Sequence, residues 1–471
     1  MLRRSNLLLT ALALFASALT ASAGTYKVNT TADSPSVSPG DGKCVSKAGG
    51  CSLRAAVQEA NASDVGSTIS VPSGTYTLSI APDGENYARS GSLYLAGEIT
   101  ITGQDFLDTI IDGGGVDRVF QIDKSSTINI SGVTIRNGAA KGGDGGGILN
   151  RGSLTMSESI VTGNKATADP GQSNGRGGGL HNEASATLRT VTFDGNQADG
   201  RGGAIYNATT GVLEMTNGRV TSNASLTDDG GGILNAGKLT LAILPVRENR
   251  GSNGGGIDNV EGTLSLFDVL VADNTAGSNG GGLRNSGAAT LTNVTVGANQ
   301  AGVSGGGIDN REKGKLVLNN VTIARNTAAT QSKGTGGGIE NAKGASVSVG
   351  NSILAANKVG AAKSDCEGVL GSQGYNLVGT QAGCILSGNA TGDLLDVAPA
   401  LARLATNDGP TPTYAFGADS PAVDAGNPAK PTGSDGSCAE ADQRGVERPQ
   451  AGRPGAPARC DIGAFELKPG T

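Results

Sequence analysis

Tryptophan is absent from this 471-residue chain, histidine occurs once, and aromatic residues make up only 3% of it. Sugar-binding clefts usually stack rings on Trp or Tyr, so an aromatic-lined cleft is not written here. The sole histidine, His181, has no serine, cysteine or carboxylate set beside it by a motif, which removes the familiar nucleophile–base constellations and leaves it expected at the surface. Positive charge is also scarce. The formal net charge is −6, falling to −8 once Arg3 and Arg4 are removed with a leader, so nucleic acid is excluded as a partner. Past the amino terminus no apolar run is long enough to cross a bilayer as a helix, and no transmembrane segment is expected.

Glycine is what the chain has instead, 78 residues of it. Eight variants of Gly-Gly-Gly-Ile-x-Asn end at Asn150, Asn182, Asn207, Asn235, Asn259, Asn285, Asn310 and Asn341, about 27 residues apart, the period of a solenoid. A second asparagine follows each after 14 to 16 residues, from Asn164 to Asn357. Three residues before it the column runs Val161, Phe193, Val220, Val246, Val271, Val296, Ile323, Leu354, and eight before it Met156, Leu188, Met215, Leu241, Leu266, Leu291, Leu318, Val349. Both columns are apolar throughout, and the residues between alternate with a period of two, which reads as short strands with one buried face. Three glycines per unit would not be tolerated in helical repeats.

A coil of this size holds three short strands and three turns. The fold expected is therefore all-β, a right-handed parallel β-helix of about ten rungs, counting degenerate ones over residues 69–78, 93–102 and 119–135 and giving a rod on the order of 50 Å. The glycine triplet marks a corner that needs positive φ, or one where stacked backbones leave no room for Cβ atoms. Asparagine suits the other corners because its amide can bond the same amide one rung away.

Residues 1–23 read as a secretory signal peptide, with Arg3 and Arg4, an apolar run and Ala21-Ser22-Ala23, so the chain is expected to be exported, secreted or periplasmic, or held at the cell surface. Residues 24–68 form an amino-terminal cap, 69–365 the rungs and 366–471 a carboxyl-terminal module. Six cysteines fall into close pairs, Cys44 with Cys51, Cys366 with Cys384 and Cys438 with Cys460, which in an exported chain suggests three local disulfides out of fifteen formal connectivities. Zinc is the rival reading, but the spacings are not ligand spacings. The stretch from Cys51 to Ala62 reads as a short amphipathic helix, Ser52 as N-cap and Leu53, Ala56, Val57 and Ala60 on one face, a natural plug for the open end of a β-helix.

That helix carries a family resemblance. Cys51, Ser52, Leu53, Arg54 and Ala56 resemble the CSLREA motif of exported bacterial β-helix proteins, with Ala55 where the motif has Glu, so the capping box on Ser52 is incomplete. Ser420-Pro421-Ala422-Val423-Asp424-Ala425-Gly426, Asp442-Gln443-Arg444-Gly445 and Cys460-Asp461-Ile462-Gly463-Ala464-Phe465-Glu466 are similar to the terminal module called choice-of-anchor Q. The repeats resemble those of polymorphic outer-membrane and pectin-lyase-like β-helices. Relatives of this kind often continue into a sorting tail; none follows Leu467 here, and a released or periplasmic protein is expected.

Function has to be argued from a site. The position x of Gly-Gly-Gly-Ile-x-Asn should point away from the core, and its column reads Leu149, His181, Tyr206, Leu234, Asp258, Arg284, Asp309, Glu340. The last four would stand ~5 Å apart on successive rungs, a spacing that resembles the carboxylate pair of a retaining glycosidase, and a carboxylate pressed on another could act as general acid. The plain reading of the same ladder is a solvated face of mixed charge. Asp228 and Asp229 are candidates for a calcium ion, the one cofactor considered, against an ordinary acidic turn. Asp424, Asp442, Asp461 and Glu466 could converge on a cation or buttress the module. Extra residues project from one corner at 165–176 and 327–335.

Two functions follow. The first is a non-catalytic exported rod, monomeric, that presents a repetitive face for adhesion, matrix or glycan contact, its partner a polysaccharide or cell-surface glycan. The alternative is a polysaccharide lyase or glycoside hydrolase working through Asp258, Arg284, Asp309 and Glu340.

Overall fold

The computed structural model describes residues 23–470 apart from 85–87, 173, 330–333, 435 and 454–456. The leader assigned to residues 1–23 thus lies almost wholly outside the described residues. The remainder stacks as a parallel β-helix. One turn shows how: Ile257–Asn259, Thr263–Phe267, Leu270–Ala272 and Thr275–Ala276 pair in parallel register with Leu283–Asn285, Ala288–Thr292, Thr295–Gly297 and Gln300–Ala301 of the next. This turn therefore has a fourth strand of two residues beyond the three expected, because the stretch after the second asparagine also pairs, and such short strands recur from Ala139–Lys141 to Lys358–Val359.

The two apolar columns line the core and are buried from end to end. Both asparagine columns form buried ladders. Each Nδ2 of the motif asparagines donates to the Oδ1 of the next, from Asn150 through Asn341, at 2.7 to 2.9 Å. The second column does the same from Asn164 to Asn357 and ends on the Asp365 carboxylate at 2.9 Å. Every amide thus satisfies its neighbour where neither could reach water, and each fixes the register of the strands beside it.

The glycine triplet meets both demands expected of it, at different positions. The first glycine has φ between 55° and 70° in all eight copies. The other two are close-approach positions: a Cβ on Gly255 would lie 2.5 Å from the Thr275 carbonyl carbon, and one on Gly256 2.7 Å from the Gly282 carbonyl oxygen.

Helix α1 (Leu53–Asn61) covers the first turn, and the Ser52 side chain caps it by accepting from the Ala55 amide at 3.0 Å. Its expected apolar face is buried. So are Arg54, paired with Asp33 at 2.6 Å, and Glu59, which accepts from Ser36 and from the amides of Gly40 and Gly42. The three disulfides pair Cys44 with Cys51, Cys366 with Cys384, and Cys438 with Cys460.

The stack runs on past residue 365, since Cys366–Gly374 and Leu377–Val378 pair below the last repeat and Cys384–Gly388 and Leu394–Leu395 follow them. The rest of the carboxyl-terminal module doubles back along the flank. Thr411 Oγ1 donates to the Asp268 carbonyl, Asn293 Nδ2 to that of Ala441, Asn319 Nδ2 to that of Ser437 and Asn351 Nδ2 to that of Gly436. Four consecutive turns are thereby braced. A small second core of Ile353, Leu377, Phe416, Val423, Ile462 and Phe465 glues module to rod.

Candidate functional site

The register sets Asp258 beside Arg284, Arg284 beside Asp309 and Asp309 beside Glu340 on successive turns, with Leu149, His181, Tyr206 and Leu234 continuing the column below. The order expected from the repeats is therefore present. Its orientation toward solvent is not. Asp258 and Asp309 have 0% of their surface exposed and His181 2%, while Tyr206, Leu149 and Leu234 are also buried. Arg284 and Glu340 are half-buried, so a solvated face of mixed charge is overturned at the two aspartates, and a surface histidine is overturned as well.

The cause is the first glycine of the triplet. Its left-handed conformation folds the preceding turn back over residue x, so closely that a Cβ on Gly254 would lie 2.7 Å from that of Asp258, and one on Gly305 2.6 Å from that of Asp309. The residue before each triplet then forms a second polar column against x. Asn253 donates its amide and Nδ2 to Asp229 Oδ1 at 3.1 and 2.8 Å, and Asn279 donates likewise to Asn253 Oδ1, both at 3.1 Å.

Two arginines close the remaining side. Arg284 Nη1 reaches Asp229 at 3.1 Å and lies 3.7 Å from Asp258. Arg311 Nε donates to Asp309 Oδ2 at 2.7 Å and Nη2 to Asn279 Oδ1 at 3.0 Å. Neither oxygen of Asp258 accepts a hydrogen bond, and Asp309 Oδ1 and Glu340 Oε2 are also without one. An anion buried this way is costly, which favours the protonated form. Burial pushes the Asp258 carboxyl up to about 7 although Arg284 opposes it, and the Asp309 carboxyl up to about 6 against Arg311. Glu340 rises by burial too, with the Thr335 hydroxyl opposing and Glu367 adding to the shift.

His181 belongs to a separate cluster lower on the column. Its ring packs on Tyr206 with centroids 4.9 Å apart, Arg176 lies over the same tyrosine, and Asp144 and Glu183 stand 3.6 Å from its two nitrogens. Burial outweighs both carboxylates and lowers its pKa to about 4, so the imidazole is neutral at pH 7.

The acidic turn expected as a calcium candidate is occupied by arginine: Arg201 holds Asp228 at 3.0 Å, and Arg284 and Asn253 hold Asp229. Among the described residues no set of three or more His, Cys, Asp or Glu has the geometry of a metal site. In the carboxyl-terminal module the four acids accept from backbone amides, Asp424 from Gly452 and Arg453, Asp442 from Arg444 and Val446, Asp461 from Asp424 and Leu467, and Glu466 from Gln450 and Asp461. They buttress the module. The insertions are also shorter than expected, because Lys165–Thr167 and Thr327–Ala328 pair within the stack.

The sequence reading of the outward positions missed an aromatic. Phe267 ends a strand whose Leu264 and Leu266 point into the core, so alternation turns its ring out, and 41% of it is exposed. The signal lay outside the glycine motif, in the plain alternation of the following strand.

Comparison with known proteins gives three findings. A family model of the Chlamydia polymorphic membrane protein repeat matches residues 190–208, a stretch shorter than one period of the array. No curated protein sequence matches the chain. The crystal structure of pectate lyase Pel9A is similar at a TM-score of 0.44 and 13% identity, over 95% of this chain and 98% of that one.

Proposed function

We propose that this chain is a non-catalytic exported β-helical rod that presents its flat, polar sheet face to an extended partner such as a polysaccharide or surface glycan. The observation that carries the reading is the closure of the acidic ladder. A general acid must come within hydrogen-bond reach of the atom it protonates, and Asp258 and Asp309 lie under glycine backbone on one side and arginine on the other. Their raised pKa values follow from burial and supply a reason for the arginine cover, with no substrate needed. Export is supported by the leader-like residues 1–23 and by three disulfides, which persist in oxidising compartments. No described helix is long and apolar enough to cross a membrane.

The opposing reading, a lyase or hydrolase acting through Asp258, Arg284, Asp309 and Glu340 with calcium as its cation, requires Arg284 and Arg311 to swing away from their partners. A panel of neutral and acidic polysaccharides, read for binding and for product release with and without added calcium, separates the two. Binding without product release is the expected result. Release of shortened polymer that disappears in Asp309→Asn and Glu340→Gln would establish the enzyme instead.

A further inference from the structure

The five-residue strand that follows the motif asparagine is the longest of each of these turns, and its outward residues stack in register. One column reads Thr240, Ser265, Thr290, Val317, and beside it runs Ala242, Phe267, Thr292, Asn319. Two large apolar side chains break the polar surface, Phe267 at 41% and Val317 at 44% exposed. They stand two turns apart, ~10 Å along the rod, with the hydroxyls of Thr290 and Thr292 between them. No ionisable side chain occurs among these eight residues.

The carboxyl-terminal module borders the Phe267 column. It is tied to the residues that follow Phe267, Thr292 and Asn319, through Thr411 to Asp268, Ala441 to Asn293 and Cys438 to Asn320. The face is thus a shelf with a floor of hydroxyls, two apolar platforms and one wall, running parallel to the axis. The Asp268 carboxyl beside Phe267 is half-buried at the wall, bonded by the Asn293 side chain and pushed up to about 6 by burial, so the charge it carries at neutral pH is negative and disfavours an anionic polymer.

The geometry points to a binding site for a neutral polysaccharide, lying along the shelf with sugar rings on Phe267 and Val317. This deepens, and rests on, the reading of the chain as a non-catalytic rod. A pyranose ring has an apolar C–H face that stacks on an aromatic ring and a rim of hydroxyls that both donate and accept, as threonine and serine do. A uronate polymer would need cations on the floor, and the nearest ones in register, Lys238 and Lys315, lie in the adjoining column at its edge. Repetition of the floor every ~4.8 Å suits a polymer better than a compact ligand, because successive sugars meet equivalent groups.

Affinity electrophoresis of the full chain through gels containing hydroxyethylcellulose, galactomannan, mixed-linkage β-glucan or polygalacturonate tests this. At least one neutral polymer should retard the wild type, and Phe267→Ala should weaken that retardation about five- to tenfold. Thr290→Glu, which puts a charge on the floor, should weaken it as well. Both positions are on the surface, and circular dichroism checks that each variant is folded. Failure of every neutral polymer to retard the wild type, retardation by polygalacturonate alone, or retardation unchanged in both variants would overturn the shelf. Shortened product in the gel would instead overturn the non-catalytic reading, independently of whether Phe267→Ala loses binding.

Discussion

Replacing Asp258 by asparagine removes a carboxyl that the fold holds at about 7, from an ordinary value of 3.8. A carboxyl raised in the folded state means that the folded chain binds more protons than the unfolded one. Its contribution is complete below the unfolded pKa and is lost as pH rises toward the folded one, so wild type loses stability between about pH 4 and 7. Each pH unit of difference is worth about 1.4 kcal/mol, which sets a ceiling of ~4 kcal/mol. Arg284, 3.7 Å away, already opposes the shift within that value. Asparagine escapes the loss but buries two donors with no acceptor, at a pH-independent cost of about 1–3 kcal/mol. Asp258→Asn should therefore be no more stable than wild type at pH 4, and its stability relative to wild type should rise by about 2–4 kcal/mol by pH 8. Urea unfolding of both proteins at intervals between these pH values measures the difference, in which titrating groups distant from Asp258 cancel. A relative stability that stays flat across the range would refute the buried, protonated carboxyl.

Other substitutions test the neighbouring physics. Asn259→Ala cuts a ladder in which Asn259 accepts from Asn235 and donates to Asn285, both at 2.7 Å; with two buried partners orphaned it should cost about 2–4 kcal/mol in thermal or urea unfolding. Gly254→Ala forces a Cβ against Asp258 in a left-handed turn at φ 55°, and a loss of at least ~1 kcal/mol with a lower melting temperature is expected. Ile243 occupies a left-handed corner at φ 56° where the neighbouring turns carry Asn217, Asp268, Asn293 and Asn320, so Ile243→Asn should raise the melting temperature, by an amount corresponding to about 0.5–1 kcal/mol.

The period, the two core columns, both asparagine ladders and the plugging helix were legible because each repeats a physical demand eight times or satisfies a local one. Asn164 and its successors could be assigned to corners from spacing alone. The orientation of residue x could not be read that way. Alternation says only that the neighbour of an inward isoleucine points to the other side, and on a wide sheet that side is solvent. Here the strand is three residues long and the chain turns back at a left-handed glycine, so the other side is roofed. Leu149 and Leu234 in the same column were the trace of this in the sequence, since two leucines on a supposedly wet face are out of place. The pairing of Arg284 with Asp229, across an intervening turn, had no such trace. It depends on side-chain reach through the fold rather than on register.

The central claim, that Asp258 and Asp309 of the acidic ladder are closed to any substrate, is tested most directly by carbodiimide labelling of the native protein followed by mass spectrometry. Asp228 and Glu248, whose side chains are 39% and 56% exposed, serve as internal standards beside Asp258 and Asp309 at 0%. Labelling of Asp228 and Glu248 with Asp258 and Asp309 untouched is the predicted result. Modification of Asp258 or Asp309 at the rate of the exposed pair would contradict it.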